Sequence, residues 1–318
     1  MTRTAPADNT DNTDNTGGTE DTDSADNTGN ADPAGHRADE ADDADHAAGE
    51  PGPAALLDLF DRRLRRDAVD DTPGCRIERV GEVVRRTGPD WNGVLWSALD
   101  ENTADAAIAD AAAHFDALGV EAEWKLYSHD RPADLADRLL AAGFVPEEEE
   151  TLMVAAVAGQ PREAVLPDGV RLVDVTDPGG VELMDRVHRA AFGGSWDGMR
   201  EQLLGQLGRD TTVMTLVLAG DVPVCAARMD LHPGTGFASL WGGGTHPDWR
   251  GRGIYRAVVA HRAGTAAARG YRWLQVDAGP QSRPILERLG FRALSTTTPY
   301  LRPAPPARAA ATGSPAAD

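Results

Sequence analysis

The residues with the clearest chemical use lie in residues 245–259, where arginine and glycine alternate in the run Arg250-Gly-Arg-Gly-Ile-Tyr255. An apolar stretch that ends in three glycines precedes this run, and a helical pattern that reaches Gly270 follows it. The predicted order is therefore strand, loop and helix. The first N–H groups of a helix have no intrahelical acceptor, and the helix dipole adds partial positive charge there. The loop thus predicts a binding site for a phosphate or pyrophosphate.

Each residue type in this loop suits such a ligand. Gly251 and Gly253 have no Cβ, so the backbone can come close to a phosphate. Arg250 and Arg252 can add charge-assisted contacts. The alternative interpretation is an ordinary strand-to-helix turn, which binds nothing.

The same run resembles the R/Q-x-x-G-x-G/A acyl-CoA signature of the GNAT superfamily of N-acyltransferases. Pro247, three residues before Arg250, fits that pattern. The later run Ile285-Leu-Glu-Arg-Leu-Gly-Phe291 resembles the closing helix-to-strand segment of the family. One position departs from the signature, because its last small residue is Tyr255 here.

The resemblance implies that acetyl-CoA is the acyl donor and that no metal takes part. Backbone groups on the strand before the loop would bind the pantetheine arm, and the loop amides would bind the pyrophosphate. Ser282 would reach the CoA arm, although a plain helix N-cap is an equal alternative. The residues expected to bind the cofactor are Gly243, Thr245, Arg250, Gly251, Arg252, Gly253, Ile254, Tyr255 and Ser282.

Acyl transfer to an amine needs an oriented thioester, a neutral amine and a proton donor for the leaving thiolate. The family's usual donor is a tyrosine, and its position here is Leu286. The strand over residues 237–243 carries no Asp or Glu. Asp277 is therefore the favoured catalytic candidate, with a turn-capping role as its alternative. Asp230 and His232 are weaker candidates near a Pro-Gly turn.

Two tryptophans, Trp196 and Trp241, are candidates for lining an acceptor pocket. A half-buried tryptophan more often belongs to the core, so both interpretations stay open.

Composition and charge limit the classes of partner that the protein can bind. The formal charge is −20, which argues against an electrostatic nucleic-acid binder. Residues 1–53 carry 14 acidic and 2 basic side chains, so much of this charge belongs to a tail. Two cysteines, no signal-like start and no apolar run of about 20 residues predict a cytoplasmic protein that does not contact membranes.

An internal repeat organises the rest of the chain. The segment from Trp124 to Gly143-Phe144 resembles the segment from Trp273 to Gly290-Phe291. In the first copy the strand-to-helix loop at residues 100–103 is acidic and would repel a pyrophosphate. The predicted organisation is a disordered acidic tail at 1–53, a degenerate GNAT-like domain at 54–158, a linker at 159–169, a GNAT N-acyltransferase domain at 170–302 and a disordered tail at 303–318.

The predicted fold class is α+β or α/β, a GNAT-like mixed and mostly antiparallel sheet flanked by helices, present twice with the second copy complete. Within the first copy, residues 75–84 predict one strand and the four acids at 147–150 predict a solvated turn.

These features predict an acetyl-CoA-dependent N-acetyltransferase in which an amine attacks the thioester directly. The alternative is a non-catalytic acyl-CoA-binding or protein-interaction module with the same fold, which the loss of tyrosine at Leu286 favours. A dinucleotide-binding unit is disfavoured, since the loop lacks G-x-G-x-x-G spacing. The acceptor stays open between a small-molecule amine and a peptide amine, as does the choice between monomer and homodimer.

Overall fold

A computed structural model describes residues 50–70, 72–193 and 197–306 of the chain. The helices are α1 (Pro53–Phe60, continued by a π-helical turn over Asp61–Arg66), α2 (Ala104–Leu118), α3 (Leu135–Ala141), α4 (Pro178–Phe192), α5 (Asp197–Gln206), α6 (Ile254–Ala268) and α7 (Arg283–Arg288). Short 3-10 turns span Val157–Gly159 and Pro247–Trp249.

The strands are β1 (Arg76–Val80), β2 (Val83–Thr87), β3 (Gly93–Ser97), β4 (Ala122–Tyr127), β5 (Val145–Pro146), β6 (Glu150–Ala156), β7 (Val170–Asp174), β8 (Thr212–Ala219), β9 (Val222–Leu231), β10 (Phe237–Thr245), β11 (Trp273–Ala278) and β12 (Arg292–Arg302). In the described ranges all twelve form one sheet, in the order β1-β2-β3-β4-β12-β6-β11-β10-β9-β8-β7, with β5 beside β12. Only the β3–β4 and β10–β11 pairs of this described sheet are parallel. The predicted fold, mixed and mostly antiparallel with helices alongside, is confirmed.

The two halves of the chain exchange their last strands. Strand β6 ends the first half but lies between β11 and β12 of the second half. Strand β12 ends the second half and pairs along its outer part with β4, from Thr297 opposite Tyr127 to Arg302 opposite Ala122. Each half is therefore completed by a strand of the other, which the repeat in the sequence does not predict.

The repeated segments have matching local structure. Trp124 and Trp273 are both buried. Trp124 lies within β4 and Trp273 begins β11, and a short helix follows each strand. Gly143 and Gly290 follow those helices with φ values of 87° and 84°. Only glycine takes this left-handed conformation freely, which explains why both copies keep Gly before Phe.

Apolar periodicity decides where the helices pack. In α2, Ile108 and Phe115 lie two turns apart on the same apolar face of the helix. Both are buried against Trp124 of β4. Gly119 ends this helix at a φ of 69°. In the second half, Val259 of α6 and Leu274 of β11 belong to one core cluster with Leu286 of α7.

Two local predictions were wrong. The strand predicted at residues 75–84 is a hairpin of β1 and β2, because Gly81 takes a φ of 55° and turns the chain. The solvated turn predicted at 147–150 ends one residue early, since Glu150 is the first residue of β6. Most of the predicted tails lies outside the described residues, and the domain boundaries at 158 and 170 stay predictions.

None of the helices in the described ranges is long and apolar enough to span a bilayer.

Candidate functional site

Strands β10 and β11 pair only at their beginnings. Phe237, Ala238 and Ser239 face Trp273, Leu274 and Gln275 in parallel register, and the pairing stops there. Strand β10 continues to Thr245 and β11 to Ala278, so the two strands diverge and leave backbone groups without a strand partner on that side. On its other edge β10 stays paired with β9, with a bulge between Trp241 and Gly244.

A cavity of about 950 Å³ fills this opening. That volume is in the range of sites for cofactors and other small molecules. The sequence-predicted residues that line it are Trp241, Gly243, Thr245, Arg250, Gly251, Gly253, Ile254, Tyr255, Asp277 and Ser282. The structure thus brings together a loop, a strand and a turn that are up to about forty residues apart in the sequence.

The Arg-Gly loop forms the end of this cavity and leads into α6. Gly251 and Gly253 have φ values of 76° and 81°, and Gly253 is the N-cap of the helix. The first helical hydrogen bond there runs from the Ala257 N–H to the Gly253 carbonyl, at 3.1 Å. The N–H groups of the first turn therefore have no intrahelical acceptor, which is the arrangement that suits an anion.

The two arginines of the loop are held by backbone carbonyls. Arg250 donates from Nη2 to the Ala191 carbonyl at 2.9 Å and from Nε to the Thr245 carbonyl at 3.2 Å. It ties the end of α4 to the end of β10 and still lines the cavity. Arg252 donates to the Asp248 carbonyl at 3.1 Å and lies 4.4 Å from the centre of the Trp249 ring. Arg252 is not one of the described residues that line the cavity.

The glycines at the end of β10 are explained by close neighbours. A Cβ on Gly243 would lie 3.0 Å from Cε2 of Tyr255, and a Cβ on Gly244 would lie 2.7 Å from Cε2 of Phe192. The Tyr255 ring therefore packs against the splayed strand, which accounts for the departure from the signature at this position. Burial raises the pKa of the Tyr255 hydroxyl, so it stays protonated at neutral pH.

His188 of α4 fixes the bulge in β10. Its Nε2 donates to the Gly242 carbonyl at 2.9 Å, and Gly242 has a φ of 56°. Burial lowers the pKa of His188, which keeps the ring neutral. A neutral donor here holds the strand open without adding charge to the cavity.

Arg262 is a cavity residue that sequence reasoning missed. It lies on α6 with 1% of its surface exposed, and its Nη1 donates to the Arg228 carbonyl at 3.1 Å. No carboxylate of residues 50–70, 72–193 or 197–306 pairs with it, and burial lowers its pKa. A buried cation of this kind adds positive potential to the cavity wall. A single arginine inside a helical pattern carries no signal that would have singled it out.

Asp277 lines the cavity but is already paired. Its Oδ2 lies 2.7 Å from Nζ of Lys125, and its Oδ1 accepts from Nε2 of Gln275 at 3.1 Å. Lys125 comes from β4 of the first half, and its Nζ lies 5.5 Å from the centre of the Trp241 ring. Burial alone would lower the pKa of Lys125, but the nearby Asp277 carboxylate helps to raise it well above its usual value. The prediction that Asp277 is catalytic stays a prediction.

Glu150 is the second missed residue. It belongs to β6, is half-buried and lines the same cavity as Asp277. Burial raises the pKa of Glu150 to about 7; Lys125 opposes this rise, and Asp277 adds to it. The solvated turn predicted for this residue is therefore wrong. No pattern within the second half could have indicated it, because the exchanged strand of the first half carries it.

The weaker catalytic candidates lie elsewhere. Asp230 pairs with Arg228 at 3.2 Å, and His232 Nε2 lies 2.8 Å from the Ser239 hydroxyl. Neither is among the described residues that line the cavity. Leu286, at the family's tyrosine position, is fully buried in the core.

Ser282 and Trp196 were also predicted to belong to the site. The Ser282 hydroxyl donates to the Gly279 carbonyl at 3.2 Å, and Ser282 lines the cavity beside α7. Trp196 lies outside the described residues, so its predicted place in an acceptor pocket stays a prediction.

Comparison with known proteins agrees with this geometry at the level of the fold. No protein-family model matches the sequence, and no curated protein matches it significantly. A GCN5-related N-acetyltransferase from Kribbella flavida is similar in structure, with 17% identity, a TM-score of 0.55 and coverage of 79% of this chain and 94% of that one. A functionally unknown conserved protein from Staphylococcus epidermidis ATCC 12228 has 14% identity, a TM-score of 0.57 and coverage of 76% and 97%. The chain has the fold of the GNAT superfamily, as the sequence resemblance predicts.

Proposed function

We propose that this protein is an acetyl-CoA-dependent N-acetyltransferase that transfers the acetyl group to an amine by direct attack on the thioester. The observation that carries the proposal is the divergence of β10 from β11, which opens a cavity ending at the N-terminus of α6. Fold similarity alone assigns no activity, so the proposed activity depends on the residues of this cavity.

The two ends of the cavity suit the two ends of acetyl-CoA. At the α6 end, the amides of residues 251–255 offer donors to the pyrophosphate. Along the opening, β10 exposes the edge that β11 no longer pairs, and Gly243 and Thr245 lie on that edge. An amide-bearing pantetheine arm there would take the place of the missing strand.

The far end of the cavity is acidic and has an aromatic wall. Asp277 and Glu150 lie there with Trp241. Carboxylates and an aromatic ring favour an amine as acceptor, and both small-molecule and peptide amines fit this chemistry.

The second candidate function is acyl-CoA binding without catalysis. Burial of Leu286 supports it, because no hydroxyl stands at the family's acid position. Orientation of the thioester alone supplies much of the rate in such reactions, so catalysis remains the first proposal.

The test is release of CoA thiol from acetyl-CoA with three cationic primary amines, spermidine, tyramine and histamine, followed by mass spectrometry of each amine. We expect saturable thiol release together with a mass gain of one acetyl group on at least one amine. Binding of acetyl-CoA with no acetylated amine would favour the non-catalytic function instead.

A further inference from the structure

We propose that Glu150, delivered by the exchanged strand of the first half, is the general base for acetyl transfer in the second half, and that the acceptor is a cationic primary amine. This inference rests on the proposed acetyltransferase function. It assigns a catalytic role to the half of the chain that lacks an acyl-CoA loop.

Strand register places Glu150 next to Asp277, at the opening between β10 and β11. In β6, Leu152 faces Asp277 and Thr151 faces Ala278, so Glu150 comes one step beyond the end of β11. Residues two apart in a strand share a face, and Glu150 therefore lies on the Asp277 face, as its diagonal neighbour. Both side chains line the cavity between β10 and β11.

The charges around Glu150 come from several elements. Lys125 and Glu123 belong to β4, Asp277 to β11, and Glu147, Glu148 and Glu149 to the chain entering β6. From α7, Arg288 lines the cavity and Arg283 donates to the Thr151 hydroxyl at 3.2 Å. On β12 the register partner of Glu150 is the uncharged Thr297.

Within this set Lys125 forms an ion pair with Asp277, with 2.7 Å between Nζ and Oδ2. The Asp277 carboxylate therefore already has a cationic partner. Within the part of the chain that the structure describes, Glu150 forms no ion pair. Its pKa is raised to about 7 by burial, with Lys125 lowering it and Asp277 raising it. A base with a pKa near the working pH is the most effective one.

The step balances with groups already named. The acceptor enters as an ammonium ion, and the Glu150 carboxylate takes one proton from it. The neutral nitrogen forms a bond to the thioester carbonyl carbon, the carbon–sulfur bond breaks, and the departing thiolate takes a second proton from the nitrogen. The products are the acetamide and CoA thiol, and Glu150 returns its proton to solvent.

The same carboxylates explain why the acceptor is cationic. Glu148, Glu150 and Asp277 all line this part of the cavity, and only Asp277 has a paired cation there among the described residues. An ammonium group is attracted to this end, and an anionic acceptor is repelled.

The test compares Glu150→Gln with Glu149→Gln, whose side chain is exposed and does not line the cavity. The assay is CoA thiol release from acetyl-CoA with spermidine, tyramine and histamine between about pH 5.5 and 9. In wild type, kcat/KM is expected to rise with pH to a plateau above about pH 7, because Glu150 must be ionised. In Glu150→Gln we expect kcat to fall by about 10²–10⁴-fold and that limb to disappear. Glu149→Gln is expected to match wild type.

Titrations with acetyl-CoA distinguish failure of the proposed acetyltransferase function from failure of the role assigned to Glu150. Glu150→Gln is expected to bind acetyl-CoA as wild type does, since the carboxylate lies at the acceptor end. Absence of acetyl-CoA binding by wild type would remove the proposed function itself. Bound acetyl-CoA with none of the three amines acetylated would count against the proposed catalysis. Acetylation by wild type together with a Glu150→Gln enzyme of wild-type kcat and pH limb would overturn this inference.

Discussion

At the scale of single residues, the Lys125–Asp277 pair joins the two halves at the cavity. The carboxylate side chain is 1% exposed and the lysine side chain 16% exposed. Removal of one partner of such a buried pair leaves an uncompensated charge, which costs more than the pair itself contributes.

Lys125→Met is therefore expected to destabilise the protein by about 3–5 kcal/mol, measured by urea unfolding. It also removes the cation that lowers the pKa of Glu150, so the acidic limb of kcat/KM is expected to move to higher pH. The matched control is Lys125→Met combined with Asp277→Asn, in which the buried charge is gone and most of the stability should return. Equal stability of the single variant and wild type would contradict this account of the pair.

Arg65 plays the corresponding role at the scale of elements. It lies in the π-helical continuation of α1, with bonds of 2.7 Å to Asp61 Oδ1 and 2.7 Å to Asp130 Oδ2. Its guanidinium also lies 4.1 Å from the Tyr127 ring centre and 4.9 Å from the Trp96 ring centre. One side chain thus fastens the first helix to β3, β4 and the loop after β4.

We expect Arg65→Ala to lower the free energy of unfolding by about 3–5 kcal/mol, because two carboxylates lose their buried partner. Arg66→Ala is the control, since its ion pair with the neighbouring Asp67 has side chains 46% and 59% exposed and is expected to contribute little to stability. Urea denaturation of both variants gives the comparison. Similar midpoints for the two would show that Arg65 does not hold α1 in place.

Also at the scale of elements, the strand exchange determines which half of the chain builds the cavity wall. Because β6 lies between β11 and β12, the wall of the cavity next to α7 is built partly by the first half. The first half has an acidic strand-to-helix loop at residues 100–103, where Asp100 Oδ1 accepts from the Asn102 and Thr103 amides. These amides are occupied by a carboxylate, and the absence of a pyrophosphate site there stays a prediction.

At the scale of the whole molecule, features that depend on a short stretch of sequence were predictable. Glycines that need a positive φ, such as Gly253, and the apolar face of α2 follow from residue type and spacing. The glycine-rich turn that leads into α6 was predictable because all its residues are contiguous.

Features that depend on distant strands were not predictable from one sequence. The place of Glu150 follows from the pairing of β6 with β11, across more than a hundred residues of chain. The pairing of Asp277 with Lys125 spans a similar separation. A repeat in the sequence indicates two copies of a motif, but it does not say which copy each final strand completes.

The central claim is that the opening between β10 and β11 binds acetyl-CoA through the α6 end. Its most direct test is calorimetric titration of acetyl-CoA into wild type, Gly253→Val and Gly270→Val. The two glycines have nearly the same conformation, with φ values of 81° and 80°, but lie at opposite ends of α6. Valine is strained at both positions, so the two variants are expected to lose similar amounts of stability. Only position 253 lines the cavity.

We expect saturable binding by wild type and Gly270→Val, and binding weakened by at least about tenfold in Gly253→Val, equivalent to roughly 1.4 kcal/mol. No binding by wild type, or equal binding by both variants, would contradict the central claim.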